Sequence, residues 1–503
     1  RAKCSGLGRE GRKSMLYPQS PSFSVCVGAV GTSLQLAEPG GNGSEDRSRT
    51  AAVLAAKDLV QKLLKRLLLR EADTSPCALQ RQTDITAPNL ELPVSKCKEV
   101  PNCRDNNRHG KSPTASSIPP APVVRFPQDP RITNLGYFRS TLKLSTLPRG
   151  EFSLVRKLAT GINGDVFEYR WNRGLFKQRA AVKKLHHQHL LDGIRNSETD
   201  ERAIHLDPRK NAPPAEDSLA EIGILSYLVA QPDLPPNLLR LLGAFNDGPM
   251  IWLVTEFADG GDLFDLVASG YVAEAKVQRY MWQLLKALAY LHAHGIGHRD
   301  VSLENLLLKD GSVQLMDFGM AVQSQSPSGT AYRHFRAVGK DSYRAPEMYV
   351  PSSPHVKVIA PIKISVGNII FMKTACNHLC DVCLVNGSMP GRPSLADVWG
   401  YTAPAADIFS AAVCFFTLGW QCPPWGKAVL SDSMFAHVYT HGDRGVQGLL
   451  RHWRKPLLSA EAMQLLAEML RPDPSKRPSA TSCLAKPWFA ALSGTPSEAM
   501  QAG

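Results

Sequence analysis

From about residue 150 the spacing of apolar residues changes twice, and the order of the changes limits the fold. EFSLVRKLATGINGDVFEYRW (151–171) alternates as two strands about a glycine-containing turn. RAAVKKL (179–185) is a third short strand, and LLRLLGAF (238–245) and IWLVTEF (251–257) are two more. Between them DSLAEIGILSYLVA (217–230) has helical spacing. Past Gly260 and Gly261 the pattern is mostly helical, the longest run being AEAKVQRYMWQLLKALAYLHAHG (273–295). Strands first and helices afterwards imply an α+β chain, a small β-rich lobe on a larger α-helical lobe.

What precedes this region is different in kind. The chain has 503 residues and a formal net charge of +13. Residues 1–150 hold 23 Lys and Arg against 12 Asp and Glu, and the remainder 35 against 33. The basic excess thus belongs to the N-terminal third. There, residues 1–50 and 72–130 are rich in Gly, Pro, Ser and charge and read as disordered. AAVLAAKDLVQKLLKRLLLREAD (51–73) reads as an amphipathic basic helix, with Lys57, Lys62, Lys65 and Arg66 interleaved. Such a helix packs on a folded domain or meets a membrane surface or an acidic partner; a solvated basic tail is the plainer interpretation. Nothing specifies nucleic acid, and the oligomeric state is not legible. The 11 cysteines fall at irregular spacing, unlike a secreted disulfide framework, so an intracellular, cytoplasmic setting is expected. The chain opens on Arg1 rather than Met, which leaves its true N-terminus open. No run of 18 apolar residues appears, so no membrane span is expected.

Five short motifs carry the chemistry. In LATGINGDV (158–166), Gly161 and Gly164 flank a turn between strands where backbone N–H groups can approach a phosphate. Lys183 follows Ala-Ala-Val on the third strand, and Glu221 on the next helix is placed to pair with it. GHRDVSLENLLL (297–308) puts Asp300 and Asn305 on a short loop feeding an apolar strand. LMDFGMA (315–321) places Asp317 before Phe-Gly, and SYRAPEM (342–348) follows. Each alone is weak, and a hairpin turn or a solvated lysine would explain it.

In this order and spacing the motifs resemble the eukaryotic protein kinase family, serine/threonine type, over about 150–492. The resemblance implies the bilobal kinase fold, with an N-lobe at 150–258, a C-lobe at 259–492, a basic N-terminal region at 1–149 and a tail at 493–503. It implies ATP and Mg²⁺ as cofactors and a protein as substrate. Lys183 would hold the α- and β-phosphates and be held by Glu221. Asp317 and Asn305 would ligate Mg²⁺, which prefers oxygen donors. Asp300 would orient the substrate hydroxyl and accept its proton. Val166, Ala181 and Leu307 would sandwich the adenine, Thr255 would be the gatekeeper, and Glu256 and Ala258 would offer backbone contacts. Asp262 would face the ribose or a basic substrate residue. His298, Phe318, Leu225 and Leu241 would stack as an apolar spine, Glu347 would pair with Arg477, and Asp407 would sit on the buried helix of the large lobe.

The chain departs from the family in four places. Ala159 stands at the first glycine of the loop. An insertion near 186–215 contains His186, His187 and His189 and reads as a polar surface loop before a metal site. A second, near 352–402, falls within the 59 residues separating Glu347 from Asp407. It reads as a folded apolar insertion or as a retained intron; Cys376, Cys380 and Cys383, with His378, would be the ligands of any small zinc site. The fourth is Ser302, where serine/threonine kinases carry a lysine. The family's usual Thr ahead of Tyr-x-Ala-Pro-Glu is here Lys340. Lysine and hydroxyl have exchanged places, so Lys340 is expected to supply the catalytic cation from the activation segment. Phosphorylation of Ser324, Ser326, Ser328 or Thr330, with Arg299 as receiver, is expected to help order that segment.

Two functions fit: transfer of the ATP γ-phosphoryl group to Ser/Thr hydroxyls, with every group needed for metal-assisted transfer present, or a pseudokinase scaffold resting on Ala159 and Ser302. Asp262 and Glu304 point to basic residues before the target site, and Thr417 points away from them.

Overall fold

The computed structural model describes residues 144–161, 164–174, 176–187, 216–326, 329–363, 368–385 and 387–493. The helix expected near 51–73, residues 1–143 around it, His189 with most of the 186–215 stretch, Ser328 and the tail beyond 493 lie outside them.

The first lobe is built on one sheet. β1 (Ser145–Thr146), β2 (Phe152–Thr160), β3 (Asp165–Arg173) and β4 (Phe176–His186) precede α1 (Ser218–Val229), and β5 (Leu241–Asp247) and β6 (Met250–Glu256) follow it. The sheet order is β1-β5-β6-β4-β3-β2, with β1 parallel to β5 and the other neighbours antiparallel. Alternation gives it two apolar faces. One packs Tyr169, Trp171, Ala180, Val182, Phe245, Trp252 and Val254, with Phe152 stacked on Trp171 at 4.8 Å. Leu185 and Leu253 belong instead to the main core with Leu225 and Leu228 of α1. Asp217 starts α1 by accepting from Leu219 N and Ala220 N at 2.9 and 3.0 Å, satisfying two of the donors a helix start leaves orphaned.

The second lobe is helical. α2 (Leu263–Ala268) and α3 (Glu274–Ala293) lead to four short strands, β7 (Ile296–Gly297), β8 (Leu306–Lys309), β9 (Ser312–Leu315) and β10 (Val322–Gln323). The bilobal kinase arrangement is therefore present: a β-rich lobe followed by a helical one.

The stretch expected as an insertion is a folded sheet. β11 (His355–Ile359), β12 (Ile369–Lys373), β13 (Leu379–Leu384) and β14 (Pro393–Val398) pair antiparallel in the order β11-β14-β13-β12. The sheet curls until its edges meet, Val358 bridging Thr374 and Ala375 N donating to Lys357 O at 2.8 Å. It encloses its own core of Val358, Ala360, Cys380, Val382, Leu384 and Ala396. Of these, each Val or Leu side chain taken from water contributes roughly 1.5–3 kcal/mol. Leu379 and Val398 join the C-lobe core, so the sheet is docked rather than tethered. The cysteines do not converge on a metal site. Cys380 faces this small core, Cys383 three residues on faces the opposite side, and Cys376 is exposed in the turn before β13. Among the described residues no group of three His, Cys, Asp or Glu is arranged to hold a metal ion.

The chain then completes the helical lobe with α4 (Ala403–Trp420), α5 (Ser433–His441), α6 (Gly445–His452), α7 (Ala460–Met469), α8 (Ala480–Leu484) and α9 (Ala490–Ser493). By length and composition α4 could cross a membrane, but 89% of it is buried within the protein. It is the core helix of the lobe, and it carries Asp407 at 1% exposure.

Candidate active site

Register places the upper half of the site. Val166 lies opposite Lys183, Lys183 opposite Leu253, and Ala181 opposite Thr255. With a period of two, Val166, Ala181, Lys183 and Thr255 share one face of the sheet. The Lys183 ammonium reaches Glu221 on α1 at 2.7 Å. Burial alone would lower the lysine's pKa, but Glu221, then Asp317 and Glu216, outweigh it and hold the ammonium above its ordinary value. A fixed cation is thus stationed under the sheet.

The glycine turn is closed by Gly161 N donating to Gly164 O at 3.0 Å. Gly164 has φ +152°, and a Cβ there would lie 1.9 Å from the Lys184 carbonyl oxygen. Glycine is required here for close packing of the turn on β4, in addition to any ligand. Ala159 pairs with Val166 inside the β2–β3 ladder.

At the hinge, Thr255 is buried and the Glu256 side chain is committed to partners on both lobes. It accepts from Gln314 Nε2 at 2.6 Å and from Arg240 N at 3.1 Å, and it pairs with Lys309. The Glu256 N–H is engaged as well, donating to Arg240 O at 3.0 Å, and half-buried Ala258 lies just beyond. Asp262 caps α2 by accepting from Asp265 N at 2.8 Å, and its backbone bridges Leu307 on β8.

The lower half hangs on Asp407. Its carboxylate accepts from His298 N at 2.8 Å and Arg299 N at 2.7 Å, and His292 Nε2 lies 2.9 Å away. The His298 ring packs on Phe318 at 5.3 Å, and Phe318, Leu225 and Leu241 all belong to the main core. Arg299 and Asp317 both hold left-handed backbone, at φ 65° and 66°. Each such residue costs about 1–3 kcal/mol, so the surrounding bonds must impose it.

Here the expected catalytic groups meet. Asn305 Nδ2 donates to Asp300 Oδ2 at 2.9 Å and to the Asp300 carbonyl at 2.8 Å. Lys340 N donates to Asp300 Oδ1 at 3.2 Å. The Lys340 ammonium lies 3.4 Å from Asp300 Oδ2 and donates to the Ser302 hydroxyl at 2.7 Å. Gly339, at φ +82°, makes this approach: a Cβ would stand 2.7 Å from Arg299 O. Asp317 Oδ1 accepts from Gly319 N at 3.2 Å. Further down, Arg477 grips Glu347 at 2.5 and 2.7 Å, both fully buried.

Glu216 was not singled out in the sequence. Burial, with Asp317 next, raises its carboxyl pKa, while Lys183 and Lys340 oppose the rise, so it stands among the site's charges. In sequence it is one acid beside a helix cap. Tyr401 was also missed. Its hydroxyl accepts from Arg299 Nη1 at 3.3 Å and donates to Arg336 O at 2.7 Å. Arg299, expected to receive a phosphate, thus already meets Tyr401, and Ser324 is only 4% exposed. Ser326 and Thr330 close a turn on each other.

Residues 152–359 match the protein kinase domain family. Over this stretch the chain is similar to eukaryotic protein kinases. Among its relatives is the serine/threonine-protein kinase CHK1 of Saccharomyces cerevisiae, 28% identical over 256 residues, 50% of this chain and 39% of that protein. CBL-interacting protein kinase 3 of Oryza sativa subsp. japonica is 27% identical over 256 residues, 50% of this chain and 44% of that protein. The serine/threonine-protein kinase SIK2 of Gallus gallus is 36% identical over 118 residues, 23% of this chain and 14% of that protein. The chain spans less than half the length of these relatives. The kinase family match ends with the last residue of β11, the first strand of the additional sheet.

Proposed function

We propose that this protein is an ATP-dependent serine/threonine kinase, transferring the γ-phosphoryl of ATP to hydroxyls of a protein substrate. The observation that carries this is the Lys183–Glu221 pair at 2.7 Å, on the sheet face shared by Val166, Ala181 and Thr255. A charged lysine held by a buried carboxylate is a built phosphate receiver.

The donors for Mg²⁺ fit. Asn305 is turned by its two donated bonds to Asp300, so its carbonyl oxygen points elsewhere, and Asp317 adds carboxylate oxygen; both are the hard donors Mg²⁺ favours. When bound, the ion neutralises charge on the transferred phosphoryl group. Asp300, held by Asn305 and the Lys340 amide, is oriented to accept the substrate hydroxyl proton. Lys340 brings a cation beside that carboxylate from the activation segment, the place that Ser302 leaves without a lysine. This arrangement favours an active enzyme over a scaffold despite Ala159 and Ser302. The test is calorimetric titration of the full chain with ATP and Mg²⁺. Binding that Lys183→Met weakens at least tenfold, with thermal unfolding unchanged, supports the proposal; equal binding by parent and variant opposes it.

A further inference from the structure

We propose that the curled sheet of residues 355–398 is an internal clamp on the activation segment, with Asp381 acting through Arg333 as a positioning residue for Lys340. The inference rests on the kinase function proposed above.

Asp381 sits on β13, directly opposite Phe371. Its carboxylate takes Arg333 Nη1 at 2.5 Å, with the two side chains 8% and 19% exposed. Its carbonyl accepts from Trp399 N at 2.9 Å. One residue therefore grips the activation segment through its side chain and, through its backbone, the strand leaving the sheet.

That exit strand grips the segment again two residues later. His334 N donates to Tyr401 O at 2.9 Å, and Tyr401 N returns to His334 O at 2.8 Å. Gly400, at φ +67°, makes the approach possible, because a Cβ would lie 2.5 Å from His334 O. The Tyr401 hydroxyl then donates to Arg336 O at 2.7 Å. Arg333, His334 and Arg336 are all held by the sheet or its exit.

Only Ala337, Val338 and Gly339 separate Arg336 from Lys340. Val338 is 2% exposed, its carbonyl accepts from Arg344 Nε at 2.9 Å, and Gly339 O accepts from Arg344 Nη2 at 2.6 Å. Gly339 runs close against the catalytic loop, where a Cβ would lie 2.7 Å from Arg299 O. A stretch pinned at both ends and packed in its middle transmits a displacement rather than absorbing it. Loosening at Arg333 should therefore be felt at the Lys340 ammonium, beside Asp300. Arg299 reaches the same Tyr401 hydroxyl, so the clamp and the catalytic loop share a contact.

The test uses full-length protein with Asp381→Asn, Arg333→Met and the conservative Arg333→Lys. Three quantities are measured: turnover with ATP and a generic protein substrate, ATP dissociation constant, and amide exchange across 333–341. Losing one member of a buried pair should cut turnover by about tenfold or more in the first two variants. Exchange should speed up in the same peptides, ATP affinity should stay within about twofold because the nucleotide face is untouched, and Arg333→Lys should stay near the parent. Unchanged turnover and exchange in Asp381→Asn overturns the clamp. ATP affinity falling in step with turnover also overturns it, because the defect would then be general. If the parent protein transfers no phosphate, the kinase proposal falls, and the exchange measurement still decides the clamp alone.

Discussion

The ammonium of Lys340 stands 2.7 Å from the hydroxyl of Ser302 and 3.4 Å from Asp300 Oδ2. Lys340 thus bonds to both Ser302 and Asp300, across 38 and 40 residues of sequence. Lys340→Thr should lower turnover by roughly 10²-fold, the scale for one charge-stabilising donor, with a smaller effect on ATP binding. Ser302→Lys alone should also be harmful, since two lysines would then crowd one carboxylate. The double change should recover much of the activity, the non-additivity expected of residues in one network. Steady-state kinetics on the four proteins decides this; strictly additive losses would discard the exchange of roles.

Asp381 gives a pH signature. Burial pushes its carboxyl up from 3.8 to about 6, against Arg333, while Glu347 and Asp473 add to the rise and the nearby Cys380 thiol is itself raised by burial. A raised acid pKa means that the fold favours the protonated form. This group's contribution to stability is present below about 4 and is lost as pH rises toward 6. The ion pair to Arg333 behaves oppositely, forming only once the carboxyl is charged. Turnover should therefore drop below pH 6 by more in the parent than in Asp381→Asn, whose profile lacks this titration. Superimposable relative profiles would show that the pair does not couple to catalysis.

Replacing 355–398 by a short linker should not give a stable, soluble protein, even though loop closure itself costs little. Leu379 and Val398 are packed into the C-lobe core, and removing them uncovers apolar surface. Aggregation or a large fall in unfolding temperature is expected by light scattering and calorimetry. A soluble deletion protein with parental stability would mean that the sheet is only an appended loop.

The Glu347–Arg477 pair should be a stability determinant rather than a catalytic one. Both groups are essentially inaccessible, so Arg477→Ala leaves an unpaired buried carboxylate, a change costing about 3–5 kcal/mol. Chemical denaturation measures it; a loss under about 1 kcal/mol would indicate that the carboxylate finds another partner.

Much of the site was legible because strand register and motif order are written in the chain. The two-residue period puts Ala181 and Lys183 on one face, Val166 joins them only through the β3–β4 register, and α1 follows at the right place to bring in Glu221. Ser302 and Lys340 were legible as a pair because each departure supplies what the other lacks. The fold of 355–398 was less so. β13 is buried on both faces, so LCDVCL shows no alternation from which a strand could be read. Glu216 and Tyr401 owe their places to tertiary packing, and neither carries a local signal.

The most direct measurement is transfer of labelled phosphate from the γ position of ATP to a generic serine- and threonine-containing protein in Mg²⁺, by the full chain and its Asp317→Asn variant. The account predicts incorporation by the parent, on Ser and Thr, and a loss of at least about 10²-fold in the variant, because Asp317 supplies metal-binding oxygen that asparagine supplies less well. Both proteins should unfold at the same temperature. Incorporation by the variant above about a tenth of the parent, or none by a folded parent that binds ATP, would contradict it.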